Sequence, residues 1–344
     1  MTVKEFKEAM KRGLGRCVLE LQKTENVEKY RKTVLWGCTH ALSYDPQCEG
    51  TRSEYFYELI SYFPSDEPFL DAIINKLERL SVKKFNWTLI HCVYILAEFA
   101  DNERARAAVW NTYRRVYDIL AARKRKAGKD LSVFEWISAA LVLCATDEEL
   151  LKVALEIGKL LEKPIFDGGD FEWFYICVEN RNAELLKLPE MRQLASAVQA
   201  DRLAREKELE ERRKKRESGE LPPYISRYLR EYDEATASPV EKLLHDYRPE
   251  REEELVTLIK SYHVTDAQRG EGYDWHSAWL DCLDGYENDL PLPRELLLYL
   301  YEHELCGYCR EALVSEIIRR GWDTEKLREE WKYDSNYDIR EKVQ

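Results

Sequence analysis

Residues 51–63 read TRSEYFYELISYF, and their apolar side chains recur at steps of three and four: Tyr55, Phe56, Leu59, Ile60 and Phe63. A helix turns once in 3.6 residues, so these five share one face; a strand would scatter them over both. Residues 67–80 repeat the pattern with Phe69, Leu70, Ile73, Ile74, Leu77 and Leu80. After Ser81 a third stripe carries Phe85, Leu89, Ile90, Val93, Leu96, Ala97 and Ala100, and a fourth carries Ala105, Val109, Tyr113, Val116 and Leu120. Leu131, Phe134, Ile137, Leu141 and Cys144 follow, then Leu150, Leu151, Ala154, Leu155, Gly158 and Leu161. Sustained alternation is almost absent.

Short polar turns separate the stripes at Ser65-Asp66, Ala100-Asp101-Asn102, Thr146-Asp147 and Glu179-Asn180. Each supplies a side chain that accepts from the free N–H groups opening the next helix. Helices joined by such brief turns are antiparallel neighbours. The spacing gives roughly seventeen helical segments, and at about 40 residues per pair the chain holds about eight pairs.

Composition agrees. The chain has 344 residues, 44% hydrophobic and 34% charged, with only 14 Gly and 11 Pro, fewer than a turn-rich β fold requires. The expected fold is all-α, built of stacked antiparallel helix pairs. One segment departs from the stripes: residues 201–217, DRLAREKELEERRKKRE, are almost wholly charged. Their acid-then-base pairs at four-residue spacing support an exposed helix, which Ser218-Gly219 stops. This divides the chain into a lobe of residues 1–217, ending in that helix, and a lobe of residues 218–344.

A formal charge of −12 argues against general adhesion to nucleic acid or anionic membrane. The average conceals a local +7 over residues 102–129 and a local −11 over residues 231–290. Nine cysteines, an odd number and mostly within apolar stretches, fit a reducing compartment. No apolar run approaches the ~18 residues of a membrane span. The expected location is cytoplasmic, with no membrane contact.

The C-terminal stretch Leu327 to Arg340 ends one helix, turns through Asp334-Ser335-Asn336 and opens another with Ile339-Arg340. This resembles the inter-helix turn of HEAT repeats. Asp101 with Arg104, and Asp45 with Arg52 downstream, are weaker echoes. The resemblance implies an α-solenoid, a right-handed superhelix in which an Asp caps the second helix of a pair and an Arg reaches toward the Asp of a neighbouring repeat. It implies a concave face for a partner. The chain departs from the family in its uneven repeat lengths and in its 21 Tyr and 9 Trp, where such repeats favour Ala and Leu.

Few motifs carry chemistry. Cys306 and Cys309 form a Cys-x-x-Cys pair, which with His303 supplies part of a zinc site; a structural zinc needs four ligands and no second pair occurs. The same pair suits a redox dithiol, or simply a buried stripe of Cys309, Ala312, Leu313 and Ile317. Phosphate-binding, dinucleotide, zinc-protease and nucleophile-elbow patterns are missing. His40 and His91 sit among apolar residues and read as core, whereas His276 lies beside Trp275 without a paired acid.

The strongest functional hint is the basic, aromatic helix at 102–129: Arg104, Trp110, Arg114, Arg115, Tyr117, Arg123 and Arg125. Arg and aromatic side chains serve core packing, protein interfaces and nucleic-acid grooves alike. The expected function is a non-enzymatic helical-repeat scaffold or adaptor binding another protein. The alternatives are a nucleic-acid-binding repeat protein working through this helix, and an enzyme with an acidic or thiol site.

Overall fold

The computed structural model describes residues 1–44, 49–125, 129–218, 237–261 and 272–343, with backbone alone for 129–130, 216 and 272–277. Among the described residues there are eighteen α-helices, several short 3-10 turns and no strand. The all-α expectation holds. No helix of the described residues is long and apolar enough to cross a membrane.

Helix starts follow local chemistry. Thr2 with Glu5, Thr146 with Glu149 and Ser238 with Glu241 form reciprocal capping boxes. At Ala100-Asp101-Asn102 the capping side chain is Asn102, which accepts from the N–H groups of Arg104 and Ala105, while Asp101 stays exposed. The turn expected at Glu179-Asn180 does not form. The helix Glu172–Asn182 runs through it, Val178 staying in the core and Arg181 reaching back to the C-terminal end of the helix Lys129–Cys144.

The chain forms two compact units. One comprises Met1–Thr24, Leu42–Arg52 and Ile225–Gln344; the other comprises Glu25–Ala41 and Ser53–Tyr224. The lobes expected from sequence divide the chain by order, whereas these units follow packing.

In the second unit, alternate helices stack on one another. Ser53–Ser61 packs on Trp87–Glu98, that helix on Lys129–Cys144, and that one on Glu172–Asn182. The intervening helices form a second row: Glu67–Arg79 contacts Glu103–Ala121, and Asp147–Leu161 contacts Arg192–Glu217. Glu103–Ala121 joins Asp147–Leu161 through Arg106 to Glu149 at 2.9 Å, Tyr113 Oη to Glu156 at 2.8 Å, and Arg114 to Glu156. The core is the apolar stripe of each helix, with Phe56, Phe69, Ile90, Tyr113, Phe134 and Ile157 essentially inaccessible.

Helix C-termini in this unit are closed by side chains from later in the chain. Arg115 donates to Leu80 O at 3.0 Å, Lys163 to Ala121 O, Arg181 to Val142 O and to Ala145 O at 2.7 Å, and Gln193 to Gly158 O at 3.0 Å. The last carbonyls of a helix lack intrahelical donors and carry partial negative charge, so a cation there serves as both donor and counter-charge. The donor lies 35 to 42 residues after its acceptor in all five of these contacts. That separation is about one helix pair.

Residues 192–217 form one helix, exposed from Leu203 to Leu209, with ion pairs from Arg212 to Glu208 at 2.7 Å and Lys214 to Glu210 at 3.5 Å.

In the first unit the two ends of the chain meet. Ser335 N donates to Gly13 O at 2.8 Å, and Arg16 Nε pairs with the nearly buried Glu330 at 2.8 Å. Gly13 adopts φ 74°, and a Cβ there would lie 1.9 Å from Ser335 Oγ, so the turn needs glycine on both counts.

Candidate functional site

The basic helix Glu103–Ala121 places its apolar stripe, including Tyr113, in the core and turns its bases to the neighbouring helices. Arg104 pairs with Glu67 and Asp71, Arg106 with Glu149, and Arg114 with Glu156. Arg114 also lies over the Trp110 and Tyr113 rings at 5.8 and 5.6 Å. Tyr117, half-buried, stacks on Tyr113 at 6.1 Å. Arg104 and Arg114 of the expected patch are thus drawn into ion pairs with neighbouring helices, and Arg115 is bound to the Leu80 carbonyl. Arg123 is half-buried and Arg125 exposed at its end; Lys126 and the side chain of Lys129 lie outside the described residues.

The repeat-turn residues separate. Asp45 lies outside the described residues, as does the side chain of His276. Arg52 is buried at φ 47° and donates to Glu49 at 2.7 Å, Lys11 O at 2.5 Å and Leu305 O at 2.9 Å. Asp334 is fully buried, yet its ion-pair partner is Arg310, at 2.7 Å, and not Arg340. Arg340 donates to the Asp334 carbonyl at 3.0 Å, and Asn336 caps the last helix. Pairing with Asp334 raises the Arg310 pKa, against the effect of its burial.

Cys306 is the residue before the helix Gly307–Arg319, and Cys309 sits one turn in. A hydrogen bond from Cys309 lowers the Cys306 thiol pKa, against its burial. Gly307 N donates to Glu49 at 2.9 Å and Cys306 N to Glu304 at 2.9 Å. The buried stripe of this helix is Arg310, Leu313, Val314 and Ile317; Cys309 is half-buried. His303 stacks on Tyr299 at 4.0 Å and bonds Tyr299 O through Nδ1 at 2.8 Å. Among the described residues no three His, Cys, Asp or Glu side chains gather as a metal ion would need.

The surface that sequence periodicity did not single out is a row of tryptophans. Trp87 and Trp136 have ring centroids 5.2 Å apart, nearly edge to face, and Trp136 and Trp173 are 6.1 Å apart. Tyr94 joins Trp136 at 6.1 Å, and Phe85 backs Trp87 at 4.7 Å. The three tryptophans come from three successive helices of the first row. Trp87 and Trp136 are half-buried, and Trp173 is 40% exposed.

The row has a signature in the sequence. Phe-Asn-Trp at 85–87, Phe-Glu-Trp at 134–136 and Phe-Glu-Trp at 171–173 are one short motif used three times. Residues two apart on a helix lie about 200° apart, so Phe134 enters the core as Trp136 faces out. Phe134 and Phe171 are buried and meet edge to face at 5.8 Å. A half-exposed Trp every 37 to 49 residues contributes little to a helical stripe and is invisible to a search for apolar period alone.

The surroundings are acidic. The four helices of this row carry Glu54, Glu58, Glu98, Asp130, Glu135, Glu172 and Glu179 against Lys129 and Arg181. Glu172 is bonded by Arg202 at 2.6 Å and by Arg205. Glu135, next to Trp136, has its carboxyl pKa pushed up to about 7 by burial, with Asp170 and Glu172 adding repulsion. No cation pairs with Glu135 among the described residues.

At the C-terminal end of the helix Trp87–Glu98, away from Trp87, the residues Tyr57, Phe63, Phe99, Asp66, Glu98 and Asp101 line an open groove of about 560 Å³. No protein-family model, curated protein or solved structure matches the chain.

Proposed function

We propose that this chain is a non-enzymatic helical-repeat scaffold, HEAT-like in its stacking, that holds another protein on the face of the first helix row. The observation that carries the reading is the tryptophan row. Half-exposed aromatic rings touching across three helices form a rigid, largely apolar strip, and such anchors supply most of the affinity at protein interfaces. The alternate stacking of the helices, and the C-terminal clasps recurring about one helix pair apart, support a solenoid of which this row is one long face.

The test uses the full chain as bait in extract of the source cell, beside a Trp136→Ala/Trp173→Ala variant with unchanged helical content. A partner recovered stoichiometrically with the parent chain, rebound after separate purification and lost with the double variant, supports the reading. Equal recovery by both baits contradicts it. In the nucleic-acid alternative, retention on labelled RNA falls with salt and collapses in an Arg114→Glu/Arg115→Glu variant. Arg104, Arg106 and Arg114 of that helix are already paired with acids.

A further inference from the structure

We infer that the segment held on the tryptophan row is basic: an extended stretch of a partner protein whose Lys or Arg side chains lie over Trp87, Trp136 and Trp173, with Glu135 as their counter-charge. The inference deepens the proposed function and rests on the row being a binding face.

Three observations converge. The first is ring chemistry: the face of an indole is the strongest side-chain acceptor of a cation, and here three indoles from three successive helices touch in sequence, inclined to one another by 74° and 50°. Their centroids, 5.2 and 6.1 Å apart, already touch, so a partner's side chains lie over the row and not between its members. The second is spacing. Alternate residues of an extended chain project to one side at intervals of about 6.6 Å, close to the step of the row. A short extended segment thus presents every second side chain to successive tryptophans.

The third is charge. Glu172 is held by Arg202 and Arg205, and Asp170 accepts from the Asp167 N–H at 3.0 Å. Glu135 stands beside both with no cation of its own among the described residues. A carboxyl half-removed from water and flanked by acids is an electrostatic vacancy that a cation fills, whereas an acidic segment or a phosphate backbone meets repulsion. Charge complementarity thus selects a basic peptide over a nucleic acid on this face.

The test is fluorescence polarisation of a labelled octapeptide of alternating serine and arginine, with its serine–glutamate counterpart and a single-stranded RNA as rival probes, against the full chain. The arginine peptide is expected to bind and the other two to bind far more weakly. Trp136→Leu and, separately, Trp173→Leu should each weaken it about tenfold, the loss expected when a partly desolvated cation loses its ring. Glu135→Gln should weaken it about fivefold, while Glu208→Gln, on the exposed charged helix, should stay within about twofold, separating the local counter-charge from overall acidity.

Trp173→Leu alters the most exposed ring of the row, which guards against a variant that merely misfolds. Affinity indifferent to both tryptophans, or preference for the glutamate peptide or RNA, overturns the inference. If the partner recovered from extract needs Trp136 and Trp173 but its contacting segment carries no Lys or Arg, the basic partner falls and the binding face stands. If neither protein nor peptide senses the tryptophans, both fall.

Discussion

Trp136 lies nearly edge-on to Trp87 at 5.2 Å, although 49 residues separate them in the chain. Each comes from the same three-residue motif, and each occupies the outward side of its helix while Phe134, two residues before Trp136, fills the core. At 134–136 one tripeptide therefore does two jobs: its phenylalanine holds helices together and its tryptophan builds a surface, whereas Phe85 is half-buried against Trp87 itself.

The division predicts unequal costs. Phe134→Ala removes a fully buried ring that meets Tyr113 and Phe171, and should destabilise the protein by about 3–5 kcal/mol. Trp136→Ala removes a half-exposed ring with edge and tilted contacts, and should cost about 1–2 kcal/mol. Urea midpoints of the two variants check this, with the larger loss expected for the phenylalanine.

Glu135 gives a pH signature. Its carboxyl holds a proton up to about pH 7 in the folded chain and only to about 4.3 when unfolded, so the folded state binds more protons between those limits. Its contribution to stability is present below the unfolded value and is lost as pH rises through 7. Asp170 and Glu172 sharpen the penalty, and Arg202 and Arg205 answer Glu172. Glu135→Gln should therefore be more resistant to urea than the parent at pH 8 and lose that advantage at pH 5. Identical pH dependence of the two midpoints would refute the assignment.

The helices were legible because each buries a full apolar stripe, as Phe69, Ile73 and Leu77 illustrate, and because residues such as Thr146 and Asn102 mark their starts. The charged helix at 201–217 was equally plain from its acid–base spacing. The tryptophan row was not, since periodicity weighs what is buried and Trp87, Trp136 and Trp173 are placed to stay partly exposed. Repetition of Phe-x-Trp was the available signal. Ion pairing was illegible for another reason: Arg114 and Glu156, or Arg310 and Asp334, meet only through packing of separate helices. Three of the nine bases in the run 102–129, Arg104, Arg106 and Arg114, meet acids on other helices, pairings that the run itself does not display.

The C-terminal clasps make a further prediction. Arg181→Met removes the donor to Val142 O and Ala145 O and should cost about 1–2 kcal/mol, since the last carbonyls of the helix Lys129–Cys144 lose a charged partner. Hydrogen exchange should quicken at the end of that helix before it changes at its middle. Uniform exchange through the helix would show that the clasp does no local work.

Arg310 and Asp334 are both fully buried, and neither can lose its partner cheaply. Asp334→Ala strands a guanidinium in the core and should destabilise by about 3–5 kcal/mol, whereas Arg310→Met with Asp334→Leu should recover most of the loss. Thermal melts of the single and double variants measure the difference. A double variant as unstable as Asp334→Ala would mean that the surrounding bonds to Glu304 O and Asn336 N matter more than the charges.

The central claim is that the tryptophan row is the binding face, and site-specific photo-crosslinking tests it most directly. A benzophenone side chain is placed at 173, on the row, or at 155, an exposed leucine on the other row of helices, and the full chain is irradiated with its purified partner. The account predicts a single adduct from position 173, lost when Trp136 is also changed to alanine, and none from position 155. Equal adducts from both positions, or one from 155 alone, would contradict it.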